Sequence, residues 1–128
     1  PVGSGVLVDK GIAYCAAGIN DFDGTHVYAL DAATGAIRWQ NNSCGHLDEF
    51  SRRGVTAQGE MLLHEGKLYL AGGNTVSPGA FDAQTGQQLW EAQLRANANA
   101  NPMTYRGSSG KQYVAIAAGH SRIDFALR

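Results

Sequence analysis

One motif occurs twice in this chain and constrains its fold more than any other feature. Residues 27–39 read VYALDAATGAIRW and residues 78–90 read PGAFDAQTGQQLW, and both fit the pattern A-x-D-x-x-T-G-x-x-x-W. Copies spaced by about 50 residues are typical of proteins built from repeated structural units. The shared positions are Ala29, Asp31, Thr34, Gly35 and Trp39 in the first copy, and Ala80, Asp82, Thr85, Gly86 and Trp90 in the second.

A second similarity precedes each copy. Residues 11–18 (GIAYCAAG) match residues 66–73 (GKLYLAGG), and a third version at 110–119 (GKQYVAIAAG) has no complete motif after it. In the second unit we predict strands near 55–63, 67–72, 79–82 and 87–92, because Val, Ile, Leu and Tyr dominate these stretches and Gly, Asn or Asp fall in the gaps between them. Four short antiparallel strands in each repeat are typical of a β-propeller blade.

The sequence therefore predicts an all-β fold of four-stranded antiparallel blades, a partial propeller of about two and a half blades. We place the blades at 1–44 and 45–96, with an incomplete blade at 97–128. Since the sequence opens mid-pattern, we also expect the N-terminus to be truncated.

The motif residues have structural roles that follow from their chemistry. The Asp can accept hydrogen bonds from turn amides, and the Gly can supply a positive φ, so each Asp-to-Gly segment predicts a tight hairpin. A single Trp could be an ordinary buried anchor, but two at equivalent positions indicate packing between neighbouring blades. Ala29 and Ala80 would be small so that a large group can approach.

Charge and hydropathy exclude several classes of function. The formal net charge is −1, with 10 Lys and Arg residues against 11 Asp and Glu. No basic cluster exists that nucleic acid or an anionic membrane would require. The longest apolar stretches, such as residues 113–118, are too short to span a bilayer.

The repeated motif resembles the tryptophan-docking motif of the quinoprotein alcohol dehydrogenase-like family, whose propellers carry repeats of the pyrroloquinoline quinone (PQQ) type. In that family a Trp of each blade stacks against the next blade. Residues 101–105 (NPMTY) and 110–119 resemble the C-terminal blade of quinone-dependent alcohol and sugar dehydrogenases, and residues 123–128 resemble their final strand. The resemblance implies a C-terminal fragment whose last blade is completed by a strand from the N-terminal end of the parent chain.

The resemblance also implies an activity for the parent: oxidation of alcohols or sugars by PQQ bound with calcium, in the bacterial periplasm or at the cell surface. The family's catalytic residues cannot be placed here, and His120 follows Gly119 where alcohol dehydrogenases often have a Trp-containing sequence. We expect no cofactor and no activity in the isolated fragment. The alternative is a non-catalytic propeller that serves as a binding or assembly scaffold. Expected partners are the missing blades or further copies of this chain.

Four polar residues are candidates for cofactor contacts because they fall in predicted loops: Arg52, Arg53, Asn74 and His120. Residues 21–24 (DFDG) resemble the start of a calcium loop, but a hairpin turn is the better interpretation. Residues 44–49 (CGHLDE) group a thiol, an imidazole and two carboxylates, which we interpret as a polar loop and not as a zinc or nucleophile site. We predict no metal site, and two free thiols at Cys15 and Cys44, one of them buried.

Overall fold

The computed structural model describes residues 2–18, 24–47, 52–56, 58–73, 75–98 and 100–127, with the backbone alone at 46–47 and 52–53. Within these residues the chain forms twelve β-strands in three antiparallel sheets and contains no helix. The predicted all-β class is therefore confirmed. None of the described residues belongs to a helix long and apolar enough to cross a membrane.

The first sheet contains five strands in the order β1-β2-β3-β4-β5. Their bounds are β1 Leu7–Asp9, β2 Ile12–Ala17, β3 Thr25–Asp31, β4 Ile37–Leu47 and β5 Arg52–Gly54. The fifth strand was not predicted. It exists because β4 runs past the end of β3, and β5 folds back on that extension with Gly45 opposite Gly54.

The second sheet has the four strands that the repeat predicts, in the order β6-β7-β8-β9. They are β6 Met61–His64, β7 Lys67–Leu70, β8 Val76–Asp82 and β9 Gln88–Gln93. The strand predicted at 55–63 begins only at Met61. Its earlier part leaves the strand conformation, since Gly59 has a φ of 89°, where an L-residue with a side chain is strained.

The third sheet has three strands, in the order β10-β11-β12. They are β10 Met103–Arg106, β11 Gln112–Ala118 and β12 Ser121–Ala126. This is the incomplete repeat, and β12 pairs in antiparallel register with β11. The partial-propeller prediction is borne out by one full blade, one extended blade and one short blade.

One row of side chains recurs across the sheets. In the first sheet Tyr14 lies opposite Ala29, which lies opposite Trp39. The second sheet repeats this row with Tyr69, Ala80 and Trp90. In the third sheet Tyr113 lies opposite Ala126, which places Ala126 at the position of the motif alanine. Sequence comparison missed this third alanine, because no Asp follows it two residues later.

The core lies between successive sheets. One buried cluster joins Tyr14, Val27 and Ala29 of the first sheet to Leu68 and Phe81 of the second. Another joins Tyr69 and Ala80 of the second sheet to Val114 of the third. The row face of each sheet therefore packs on the opposite face of the next sheet, as adjacent blades of a propeller do.

The antiparallel order gives the blades two distinct ends. Tight turns join the first strand to the second and the third to the fourth at one end, which we call the hairpin end. Connections from the second strand to the third, and from one sheet to the next, lie at the other end, which we call the connector end. The Asp-to-Gly motifs lie at the hairpin end, and the long loops gather at the connector end.

Candidate functional site

The two Asp-to-Gly turns have the same geometry at the hairpin end. Asp31 Oδ1 accepts hydrogen bonds from the amides of Ala33 and Thr34 at 3.1 and 3.0 Å. Asp82 Oδ1 accepts equivalent bonds from Gln84 and Thr85, both at 2.9 Å. The turn glycines Gly35 and Gly86 have φ values of 74° and 75°. The predicted hairpins are present at both positions.

Trp39 lies against the turn of the next blade. Its indole Nε1 donates a hydrogen bond to the Ala83 carbonyl at 3.0 Å. Asn41 Nδ2 donates to the Gly86 carbonyl at 2.8 Å. A Cβ at Gly86 would collide with the Trp39 ring, so glycine is needed there for space as well as for φ. The Trp of the first motif copy thus contacts the turn Gly of the second copy across the boundary between two blades.

Trp90 has a different environment. Its ring lies 6.0 Å from Phe125 and 6.2 Å from Tyr69, measured between ring centroids. Within the described part of the chain its indole N–H has no hydrogen-bond partner. It lines a cleft of about 670 Å³ together with Lys67, Tyr69, Leu89, Asp124, Phe125 and Ala126. The equivalent residue of the first blade, Trp39, is instead covered by the turn of the second blade.

The first turn carries an ion pair that the second lacks. Arg38 Nη2 lies 2.8 Å from Asp31 Oδ2, and Leu89 takes the place of Arg38 in the second copy. The Arg38 guanidinium, together with the Thr34 amide and hydroxyl and the Ala33 amide, lowers the pKa of Asp31 from 3.8 to about 2. Turn amides also lower the pKa of Asp82. Because the folded-state pKa values are lowered, this stabilisation is present above pH 4 and is lost as the pH falls towards 2.

We predict that Arg38→Ala raises the pKa of Asp31 by about one unit, because the opposite charge within hydrogen-bond distance is removed. An NMR titration of the aspartate carboxyl carbons measures this directly. Asp82 is the internal control, and its pKa should not move. An Asp31 titration that is identical in the variant would contradict the role assigned to the ion pair.

The topology brings three of the four candidate contact residues, Arg52, Arg53 and His120, to the connector end. Arg52 and Arg53 lie in β5, and their backbone alone is described. His120 is exposed in the turn between β11 and β12. Asn74 lies outside the described residues, although its neighbour Gly73 is at this end. No described contact tests whether their side chains share one site.

The connector end also contains a small cleft that sequence reasoning missed. Its volume is about 170 Å³, and it is lined by Gln58, Gly59, Gly72, Gly73, Ala100 and Asn101. The three glycines all have positive φ values. Asn101 begins the NPMTY segment, which was noted in the sequence only as a resemblance. Proximity across three connections created this cleft, and no single stretch of sequence indicates it.

Backbone contacts tie the starts of the three blades together near this cleft. Gly5 N donates to the Gly59 carbonyl at 3.0 Å. The Glu60 amide donates to Asn101 Oδ1 at 3.1 Å. Asn101 therefore links the segment before β10 to the segment before β6. Gln58 and Asn101 line the same cleft at the connector end.

The cysteines are structural. Cys15 and Cys44 are free and buried. Burial raises the pKa of the Cys44 thiol to about 12, so it stays protonated at neutral pH and is a poor nucleophile. Cys44 was expected in a polar loop but lies in β4, where its thiol donates to the Thr25 carbonyl at 3.6 Å. The carboxylates Asp48 and Glu49, and residues 21–23 of the predicted hairpin turn, lie outside the described residues.

The comparison with known proteins decides the family. A sequence profile of the PQQ glucose/ethanol/alcohol dehydrogenase β-propeller domain matches residues 50–114. The chain belongs to this PQQ propeller family. The match covers β5, the whole second sheet, β10 and the start of β11.

Curated relatives of this PQQ propeller chain are bacterial quinone enzymes. It is 31% identical over 106 residues to a probable quinate dehydrogenase (quinone) of Xanthomonas campestris pv. juglandis, covering 73% of this chain and 13% of the relative. It is also 31% identical over 117 residues to the quinoprotein alcohol dehydrogenase PedE of Pseudomonas putida, covering 87% of this chain and 17% of the relative. The chain thus spans less than one fifth of either relative.

Solved structures resemble the PQQ propeller chain in fold. A europium-containing methanol dehydrogenase aligns with a TM-score of 0.56 at 20% identity, over 91% of this chain and 21% of that one. BamB from Moraxella catarrhalis aligns with a TM-score of 0.58 at 18% identity, over 90% of this chain and 31% of that one. At these identities the likeness establishes the blade architecture alone.

Proposed function

We propose that this chain is the C-terminal part of the propeller of a PQQ-dependent alcohol or sugar dehydrogenase. We also propose that its connector end forms part of the wall of the cofactor site. The observation that supports this most is the connector end, where Arg52, Arg53 and His120 lie at the same end as the cleft of Gln58 and Asn101. The quinone, when bound, would accept the electrons removed from the substrate alcohol. On this proposal the isolated 128-residue chain has no dehydrogenase activity.

The donor set at this end suits one edge of a planar quinone that carries carboxylates. The Gln58 and Asn101 amides can hydrogen-bond to carbonyl or carboxylate oxygens. Arg52 and Arg53 would supply the positive charge that carboxylates require. In the reaction this chain would position the quinone, and its two arginines would balance the negative charge of the quinone carboxylates.

Calcium does not fit the described residues in the same way. No group of three His, Cys, Asp or Glu side chains among them is close enough to hold a metal ion. Hard cations prefer several oxygen ligands. We therefore assign no calcium ligand to the described residues and propose that calcium, if the parent uses it, is held by other parts of the chain.

The cofactor proposal is tested in the full-length parent. We expect PQQ with calcium to bind and to support dye reduction with simple alcohols. Arg52→Ala with Arg53→Ala should raise the Kd for the quinone by on the order of a hundredfold, since two charge-assisted contacts are lost. Arg106→Ala, on β10, is the matched control and should leave binding unchanged. No quinone binding by the parent would remove the dehydrogenase proposal.

The scaffold alternative is supported by one specific feature. In the third blade the connection from β11 to β12 consists only of Gly119 and His120, both exposed. A blade with so short a connection contributes little to a ligand site at that end. A parent that folds but neither binds quinone nor oxidises alcohols would favour this alternative.

We propose that the partners of this chain are the missing blades of the parent or further copies of the chain. Val6 and Val8 are each 62% exposed and Ile37 is 59% exposed, all in the first blade. Apolar exposure of this kind favours coverage by a preceding blade of the parent or by a second copy of this chain. We also propose a bacterial periplasmic or cell-surface location, supported by the bacterial quinoprotein relatives.

We further propose that the Trp39 contact is the tryptophan-docking interaction of the family. The hydrogen bond to Ala83 and the close approach to Gly86 support it. On this proposal Trp90 makes the same contact when the third blade is complete.

A further inference from the structure

The three sheets differ in the length of the connection between their second and third strands. It spans residues 18–24 in the first sheet, residues 71–75 in the second, and only Gly119 and His120 in the third. One residue of an extended chain spans at most about 3.5 Å, so a two-residue turn cannot rise far above the ends of its strands. At the connector end the third blade therefore has less chain with which to cover a site than either of the other two.

Contacts with the connection between the second and third blades hold this short turn in place. The Gly119 amide donates to the Asn97 carbonyl at 3.3 Å, and Ala118 forms an antiparallel bridge with Ala98. A Cβ at Gly119 would lie 3.1 Å from the Cβ of Ala96. The turn is therefore braced by its neighbour and is not built as a movable lid.

The surface beside the turn is made of small residues and leads to the cleft at the connector end. Residues 96–101 read ANANAN, so this connection has no side chain larger than Asn. The Gly73 amide donates to the Ala98 carbonyl at 2.7 Å, and Gly73 lines the cleft together with Ala100 and Asn101. Residues 96–98, 100–101 and 119 thus form one low strip from the turn to the cleft, which we call the notch.

We propose that the notch is the entrance to the cofactor site, and that the length of the turn at Gly119 and His120 sets the size of the alcohol that is admitted. The inference rests on the proposed function, which places the quinone against the cleft at this end. The longer connections of the first two blades have enough chain to wall a site, whereas the braced two-residue turn leaves its side low. Both blades that border the notch belong to this chain, so the opening does not depend on where the chain begins or ends.

Lengthening the turn in the full-length parent tests the entrance. Insertion of Gly-Ser-Gly between Gly119 and His120 makes this connection as long as residues 71–75 of the second sheet. Closing an entrance slows entry and exit together and leaves the equilibrium unchanged. The association and dissociation rates of PQQ, followed by stopped-flow fluorescence, should therefore each fall about tenfold, while the Kd changes by less than about twofold. The same insertion between Ser108 and Ser109, in the hairpin-end turn of the same blade, is the matched control and should change neither rate.

Turnover of two primary alcohols of different size gives a second readout. In the insertion variant kcat/KM should fall about tenfold for cyclohexylmethanol and by less than about twofold for ethanol, because only the bulky alcohol needs the open notch. His120→Trp adds bulk to the exposed turn without lengthening it, and it should act in the same direction with a smaller effect. Circular dichroism should show intact β-structure in both variants, since Gly119 and His120 are exposed.

Wild-type association and dissociation rates in the folded insertion variant would overturn the entrance while leaving the proposed function standing. A raised Kd with an unchanged association rate would also overturn it, because the turn would then be a contact with the quinone. If the insertion variant does not fold, His120→Trp decides by the same criteria. A wild-type parent that binds no quinone would instead refute the proposed function, and the entrance with it.

Discussion

Trp39→Ala is expected to lower the free energy of unfolding by about 3 kcal/mol, within the usual range for removal of a large aromatic side chain. The variant loses the packing of the indole on the Gly86 turn and the hydrogen bond to Ala83. It also removes the ring that packs on Tyr14, since the ring centroids of Tyr14 and Trp39 lie 6.1 Å apart. Urea unfolding followed by circular dichroism measures the change.

Trp90→Ala is the matched comparison for this prediction. Trp90 keeps two ring contacts but lines an open cleft, so its removal should lower the free energy of unfolding by about 1 kcal/mol. The test is whether Trp39→Ala lowers the free energy of unfolding more than Trp90→Ala does. Equal costs would mean that the turn of the next blade contributes little to the stability that Trp39 provides.

Gly86→Ala is the second substitution with a large expected effect, at about 3 kcal/mol. Alanine at a φ of 75° is strained by about 1 kcal/mol. The rest of the cost arises because the added methyl group would displace the Trp39 ring, and overpacking of this kind costs about 2 kcal/mol.

Gly35→Ala separates the cost of backbone strain from the cost of overpacking. Gly35 has the same turn sequence pattern and a φ of 74°, but no atom lies within 4 Å of the added Cβ. It should therefore lower the free energy of unfolding by about 1 kcal/mol. If both alanine variants cost the same in urea unfolding, the contact between blades would have no energetic role.

The repeat predicted much of this fold. The hairpin turns could be predicted because Asp, Thr and Gly at fixed spacing satisfy local backbone groups, and these contacts do not depend on the rest of the chain. The packing role of Trp39 could be inferred because a large aromatic side chain recurred at one position. Local chemistry and repetition were sufficient for both.

Other features depend on chain topology and were missed. β5 forms because β4 extends beyond β3, and no residue type in Arg52–Gly54 indicates a strand. Gln58 and Asn101 line one cleft only because two connections between blades end at the same place. The motif alanine of the third blade, Ala126, was recognised only from its register opposite Tyr113.

The candidate site was predicted less completely than the fold. Four contact residues were selected as polar loop residues, and the antiparallel order explains why the described ones, Arg52, Arg53 and His120, lie at one end of the blades. Sequence alone gave no signal for the glycine-lined cleft beside them. A partial propeller leaves the remaining walls of such a site to other blades.

The central claim is that Trp39 and the Gly86 turn hold two blades together, and a double-mutant cycle tests it most directly. In the Trp39→Ala background, Gly86→Ala should cost only about 1 kcal/mol, as Gly35→Ala does, because the ring it displaces is absent. A coupling of about 2 kcal/mol between the two sites is the predicted result. Additive costs would contradict the account.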